Sequence, residues 1–266
     1  MISNQDKVSD AFSKQSAVFD TLYKENKLSD YLRSKFREEI VSHLKSHSQL
    51  LELNCGTGLD AIYFAEKGHC LLATDNAPGM LAQLDRKVVE KNLGGQIKTF
   101  RCSFHEIHKI QNKKFDHIIS NFGGLNCTDN LKDVLIQLAP LLNDSGKITL
   151  MVMPKICPWE LIMAFKGNFK TAFRRFKKNT PAHIEGVHFL CYYYNPSYIT
   201  HVLKRDFDLL TLKGIFITVP PEFYENFVDR YPRLFKILSR IDKAICSVFP
   251  FTSWCDHYMI TLQKKS

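Results

Sequence analysis

The segment Leu50-Leu51-Glu52-Leu53-Asn54-Cys55-Gly56-Thr57-Gly58-Leu59-Asp60-Ala61 constrains the fold more than any other stretch of the 266-residue chain. Leu50–Leu53 is short, apolar and followed by turn residues, the pattern of a buried strand. Gly56 and Gly58 permit a tight turn, and helical patterning resumes directly at Leu59. A strand that enters a helix this abruptly is the first half of a strand–helix–strand crossover. The turn lets a ligand approach the backbone closely, and the helix start offers free N–H groups above it. Asp75 stands at the end of a second strand, Cys70–Thr74, 19 residues beyond Gly56. A carboxylate there accepts hydrogen bonds from both ribose hydroxyls of a nucleotide-like ligand.

The alternation continues along the chain. A helix near Leu59–Lys67 is closed by Gly68, and a helix from about Pro78 ends at Gly94-Gly95. Ile97–Cys102 and His117–Ser120 read as strands, Asp129–Leu142 as a helix, and Lys147–Met153 as a fifth strand. Such alternation gives a parallel sheet with right-handed crossovers, hence an α/β fold. Ahead of it, Asp6–Leu44 lacks Gly and Pro, and Leu28, Leu32, Phe36, Ile40 and Leu44 recur at helical spacing. After Met153 the pattern breaks. Pro154–Tyr194 reads as an insertion with one basic aromatic helix and one strand-like run. A helix from Pro196, a strand near Asp208–Ile217, helices around Phe223–Val228 and Leu234–Val248, and a last strand, His257–Gln263, follow. The expectation is one domain over 1–266: a helical cap (1–48), a cofactor-binding half (49–153), an inserted lid (154–195) and the C-terminal half of the sheet (196–266).

Composition narrows the classes. With 45% hydrophobic and 24% charged residues the chain is neither disordered, collagenous nor a coiled coil. A net charge of +9 favours anionic partners without naming one. The eight cysteines form no C-x-x-C pair and read as small buried hydrophobes in a reducing cytosol. Residues Met1–Asp10 are polar and mixed in charge, unlike a signal-peptide core, and no apolar run suits a membrane-spanning helix. Of 32 aromatic residues 21 lie after residue 150, so the second half is expected to build an aromatic-lined surface or pocket.

Gly56-x-Gly58-x-x-Ala61 also satisfies the dinucleotide fingerprint, which makes a nicotinamide-dependent oxidoreductase the competing enzyme. Three features oppose it. Glu52 puts a charge inside the first strand. The glycine loop follows a helical leader. The one Tyr-x-x-x-Lys pair weighed, Tyr23 and Lys27, precedes the loop, the wrong order for a short-chain dehydrogenase.

Glu52-Leu-Asn-Cys-Gly56-Thr-Gly58 together with Ala-Thr-Asp75-Asn-Ala-Pro-Gly-Met80-Leu81 resembles motifs I and II of class I S-adenosylmethionine-dependent methyltransferases. Phe115–Asn121 resembles motif IV, and Leu138–Lys147 the helix, turn and strand after it. Ala11-Phe12-Ser13, with Phe19-Asp20 and Arg33, resembles the N-terminal cap of ubiquinone- and biotin-pathway methyltransferases. The resemblance implies a Rossmann-like seven-stranded sheet with S-adenosylmethionine as cofactor. It also implies that Asn54, Cys55, Gly56, Thr57 and Gly58 hold the methionine moiety, Asp75 the ribose, and Asn76 or Met80 the adenine border. Arg33 would meet the methionine carboxylate, the alternative being an exposed helix arginine. Phe19, Glu52 and Asn121 complete the set. Two residues depart from the family pattern. Asn54 replaces a usual glycine, implying a strained loop or a displaced cofactor. Ser103 and Phe104 replace an Asp–Ala pair that grips adenine. These departures support a third reading, a cofactor-binding or membrane-surface protein without chemistry.

Methyl transfer is an in-line displacement governed by positioning, and a base is needed only for a protonated acceptor. His183 and His188, in the insertion, are the base candidates, with His188, Leu190, Tyr192 and Tyr194 expected on one strand face. Asn195-Pro196-Ser197-Tyr198 looks like an amino-methyltransferase motif but falls after the fifth strand, where it reads as a helix start. No Cys/His spacing indicates a metal. Pro154–Lys178 carries seven Lys/Arg against Glu160 alone, with Phe165, Phe169, Phe173 and Phe176 at helical spacing. It is either a lid helix with its phenylalanines on the core or a face that docks a lipid-like substrate, a membrane or an acidic carrier protein. The combined expectation is a cytoplasmic methyltransferase acting on a small hydrophobic or aromatic acceptor, at oxygen or carbon rather than on nucleic acid.

Overall fold

The computed structural model describes residues 2–111 and 113–265. Two helices, α1 (Asn4–Lys24) and α2 (Lys27–Val41), precede the sheet. Strand β1 (Gln49–Glu52) leads through the glycine turn into α3 (Leu59–Glu66), then β2 (Cys70–Asp75), α4 (Pro78–Glu90) and β3 (Ile97–Arg101). Next come β4 (Phe115–Ser120), α5 (Leu131–Ile136) and β5 (Leu142–Val152). The insertion holds α6 (Pro158–Leu161), α7 (Phe169–Ala172) and a hairpin of β6 (Thr180–Ile184) and β7 (Val187–Cys191). The chain ends with α8 (Pro196–Leu203), β8 (Phe207–Ile215), α9 (Phe227–Arg230), α10 (Pro232–Ile245) and β9 (His257–Lys264).

Seven strands form one sheet in the order β3-β2-β1-β4-β5-β9-β8. β1 to β5 pair in parallel, whereas β9 runs antiparallel to both neighbours, β5 and β8. The apolar strands explain this arrangement: Leu50, Leu51, Ile118, Ile119, Ile148 and Leu150 are fully buried, as a sheet covered on both faces requires. One core layer contains Leu51, Ile118, Leu135 and Ile260. The other contains Leu50, Ile119, Phe64 and the α2 residues Leu32 and Phe36.

The expected helix over 129–142 contracts to α5, because Pro140 lies in a short 3-10 turn and Leu142 already belongs to β5. The expected basic aromatic helix of 154–178 is broken into short turns. Gly167, at φ 75°, ends the first pair, and Asn168 caps α7. The strand-like run is a hairpin turning at Glu185-Gly186, both with positive φ. Its inner face, with Phe189, packs on Ala11, Phe12 and Cys127.

Candidate active site

The order of the parallel strands reverses between β1 and β4, and open α/β sheets bind ligands beyond the carboxyl ends of strands at such a point. Here that point opens into a cleft. Its lining includes Glu52, Asn54, Cys55, Gly56 and Thr57 at and after the end of β1, Asp75, Asn76 and Met80 at and after the end of β2, Cys102 and Phe104 after β3, and Asn121 and Phe122 after β4. One face of α1, with Gln5, Val8, Phe12, Phe19 and Tyr23, contributes to the same lining.

Backbone hydrogen bonds hold the glycine loop. Leu53 N–H donates to Ile119, Cys55 N–H to Thr74 and Gly58 N–H to Cys55. Gly56 and Gly58 take φ values of 54° and 79°, and a Cβ on Gly58 would lie 2.2 Å from Leu84 of α4. From above, Thr57 donates its hydroxyl to Asp20 of α1, while Lys87 of α4 donates to the Thr57 carbonyl at 2.9 Å and pairs with Asp20. α1 lies this close to α4 because Gly79 has no side chain: a Cβ there would fall 2.7 Å from the Ser13 carbonyl.

Asp75 accepts from Gly56 N–H at 2.9 Å with one oxygen and from Ala77 N–H at 2.8 Å with the other. Each oxygen keeps a further acceptor site. Burial pushes its pKa up against the pull of those N–H donors. Glu52 is more deeply enclosed. Its pKa is raised well above the usual carboxylate range by burial and by the neighbouring Asp60 charge, and its Oε2 has no hydrogen-bond partner.

Arg33 is neither exposed nor free. It is buried, pairs with Asp60 at 2.6 Å and lies 4.4 Å over the Phe122 ring. Arg37 takes the other Asp60 oxygen at 2.7 Å, and Asn121 donates to Asp60 at 2.8 Å. Asn121 therefore joins the post-β4 loop to α3 and α2. Phe122 stands at φ 50°, a costly conformation held by Arg33, Tyr23 and the Asn121 carboxamide, which accepts its N–H at 2.7 Å.

Asn54 differs from expectation. It is not among the positive-φ residues, so the loop carries no strain there. Its side chain donates to Asn121 O at 2.8 Å and accepts from the Ser120 hydroxyl, in space that Gly124 leaves clear. Ser103 is not among the cleft-lining residues; its hydroxyl donates to Glu106 at 2.8 Å as the cap of a 3-10 helix, while Cys102 and Phe104 on either side do line the cleft. His183 and His188 face each other across the hairpin with ring centroids 4.5 Å apart, exposed and outside the cleft lining. The expected shared face of His188 with Tyr192 and Tyr194 does not form either, because β7 ends at Cys191.

Several residues escaped sequence reading. Asp60 sits in the α3 start and carries no motif of its own. Asn126, fully buried, donates to Met153 O and Tyr192 O and accepts from Met153 N–H, tying the post-β4 turn to β5 and the insertion. On the α1 cleft face the resemblance signalled Phe12 and Phe19, while Gln5, Val8 and Tyr23 were not singled out as site residues.

The cleft lining holds Glu52, Asp60 and Asp75 against Arg33 alone, and Asp60 is already neutralised by two arginines. The remaining Glu52, whose ionised form burial disfavours and a nearby cation would restore, favours a ligand with a cationic group, and Asp75 offers acceptor sites to hydroxyl donors. An unpartnered buried carboxylate suits an ammonium or sulfonium centre, while Met80, Cys102 and Phe104 offer an apolar wall for a purine. The residues present fit S-adenosylmethionine.

Comparison with known proteins agrees. Residues 50–146 match the methyltransferase-domain family. An uncharacterized protein of Methanocaldococcus jannaschii is 31% identical over 173 residues, 64% of this chain; the chain spans 62% of the length of that relative. A structure assigned as an S-adenosylmethionine-dependent methyltransferase of Listeria monocytogenes superposes with a TM-score of 0.60 at 17% identity, covering 88% of this chain and 99% of the other. An S-adenosylmethionine-dependent methyltransferase of Clostridium acetobutylicum gives 0.58 at 14% identity, covering 92% of each. The fold is the class I methyltransferase fold. The matched segment, residues 50–146, is similar to methyltransferase domains.

Proposed function

We propose that the protein transfers a methyl group from S-adenosylmethionine to a small hydrophobic or aromatic acceptor, at oxygen or carbon. The observation that carries this reading is the unpartnered Glu52 carboxylate beside Asp75 in a cleft roofed by α1 aromatics. When bound, the cofactor supplies an electrophilic sulfonium methyl. Asp75 would accept from the ribose hydroxyls with its free lone pairs. Glu52 would face the ammonium group, and the loop 54–58 would hold the methionine chain by its backbone. Asn76, Met80 and Phe104 would enclose the adenine. Arg33 and Asn121, fixed by Asp60, would position Phe122 at the inner wall. Phe19 and Tyr23 would exclude water, and burial keeps the Tyr23 phenol protonated far above its ordinary range, suited to orienting an acceptor rather than deprotonating it.

In this reading the whole of 1–266 acts as one unit, with 1–48 as cap and 154–195 as lid. Eight free cysteines favour a reducing cytosol. Among the described residues no helix is long and apolar enough to cross a membrane. A peripheral contact with a membrane or an acidic carrier protein belongs to the same reading, through the exposed phenylalanines of 154–178.

The test is incubation of the protein with methyl-labelled S-adenosylmethionine and a cell extract, followed by fractionation. Label in the solvent-extractable small-molecule fraction is expected. Label confined to nucleic acid or protein would overturn the acceptor class.

A further inference from the structure

α10 is amphipathic in a way that its packing does not use. Its core side is Phe235, Leu238 and Asp242: Asp242 accepts from Ile217 and Thr218 N–H, and Phe235 meets Tyr31 edge to face. A second apolar stripe, Leu234, Ile237 and Ile241, points to solvent at three- and four-residue spacing, with Ile237 53% exposed. Just past the helix end Val248 and Phe249 continue the exposure, Phe249 at 80%. Arg233, Lys236, Arg240 and Lys243 flank the stripe, and the helix has no acidic residue except buried Asp242.

The insertion adds a second such surface. Arg175 is buried and Arg174 half-exposed, and both are neutralised: both pair with Glu160, and Arg175 also pairs with Asp256. That turns the phenylalanines outward, Phe165 at 92% exposure and Phe169, Phe173 and Phe176 at about half. Lys166, Lys170, Lys177 and Lys178 lie among them. The insertion meets the stretch that follows α10, where Ile156 bridges half-exposed Trp254 and Arg175 reaches Asp256. Among the described residues none of the four α10 cations or these four lysines makes an ion pair.

We infer that α10, with the adjoining Phe165–Phe176 turns and Trp254, docks the protein on an anionic phospholipid surface. Charge complementarity names the occupant: unpaired cations beside aliphatic and aromatic side chains match phosphate headgroups above acyl chains. The apolar residues protrude from a helix and from short turns, which a fluid bilayer accommodates without a matching shape. An acidic protein would contact the cations and leave most of these apolar groups in water. The inference holds whichever acceptor is methylated.

Co-sedimentation of the full chain with phosphatidylcholine vesicles, with and without phosphatidylglycerol, tests it. Wild type should bind the anionic vesicles and weaken as salt rises. Lys236→Glu/Arg240→Glu should lower partitioning about tenfold or more. Ile237→Ser/Ile241→Ser should also lose binding, and the loss should persist at low salt. Lys98→Glu/Lys132→Glu changes net charge equally on exposed positions elsewhere and should bind as wild type. All these sites are exposed, so matching melting temperatures report intact folds. Brominated lipid should quench tryptophan emission in wild type and not in Trp254→Phe. Absence of vesicle binding, wild-type binding by the isoleucine variant, or equal loss in the control pair would overturn the inference. So would capture by polyglutamate beads without vesicle binding, which would indicate an acidic protein partner.

Discussion

The Asn54 carboxamide lies against the backbone of Gly124, so close that a Cβ on Gly124 would fall 2.4 Å from its Cγ and Nδ2. Asn54 and Gly124 thus form one packing unit. The loop after β1 and the loop after β4 are locked together through Ser120, Asn54 and Asn121.

This pair predicts a coupled effect. Gly124→Ala alone should destabilise the fold by about 1–3 kcal/mol through overpacking. Asn54→Gly alone should cost about 1 kcal/mol in lost hydrogen bonds. The double variant should be more stable than the sum of the two, a coupling that chemical denaturation can measure. Strict additivity would separate the two loops.

Asp75→Ala should weaken S-adenosylhomocysteine binding by more than about 1 kcal/mol, because a buried charged acceptor is removed. Calorimetry is the check. Unchanged affinity would place the ribose elsewhere.

His183→Ala and His188→Ala, alone or together, should leave methyl transfer within about twofold of wild type, since both rings are exposed outside the cleft. A loss on the order of 100-fold, the scale of a removed general base, would restore them as catalytic candidates.

Glu39 supplies a pH signature. Burial raises its pKa, but hydrogen bonds from Lys213 and Thr211 and the Lys213 charge outweigh that and hold it at about 2. A folded-state pKa below the unfolded one stabilises at neutral pH and loses that contribution as acid protonates the group. The loss should run from about pH 5 down to about pH 2 and amount to roughly 2–3 kcal/mol. Glu39→Gln should be less stable at pH 7 and show a flatter stability profile across that window. An unchanged slope would contradict the assignment.

The alternating core was readable from sequence because each strand is buried on both faces and each turn carries its own glycine or proline chemistry. Asp75 was readable for the same reason: the length of a crossover fixes where a strand ends. The insertion was not. Periodicity put Phe165, Phe169, Phe173 and Phe176 on one face but could not say which face is inside. That is decided by Glu160 and Asp256, buried acids that pair with Arg174 and Arg175 from 14 to 81 residues away. Asp60 was missed likewise, because its partners come from two other segments, Arg33 and Arg37 from α2 and Asn121 from the loop after β4.

The chemistry of the cleft above Gly56 and Gly58 favours an adenosyl cofactor with cationic groups over a dinucleotide. Thermal unfolding of the protein with S-adenosylhomocysteine, and separately with NADPH, tests it most directly, since only a ligand of the native state raises the melting temperature. At about 100 times Kd, S-adenosylhomocysteine should add roughly 2.7 kcal/mol and raise Tm by several degrees, while NADPH leaves it unchanged. A shift with NADPH and none with S-adenosylhomocysteine would contradict the account.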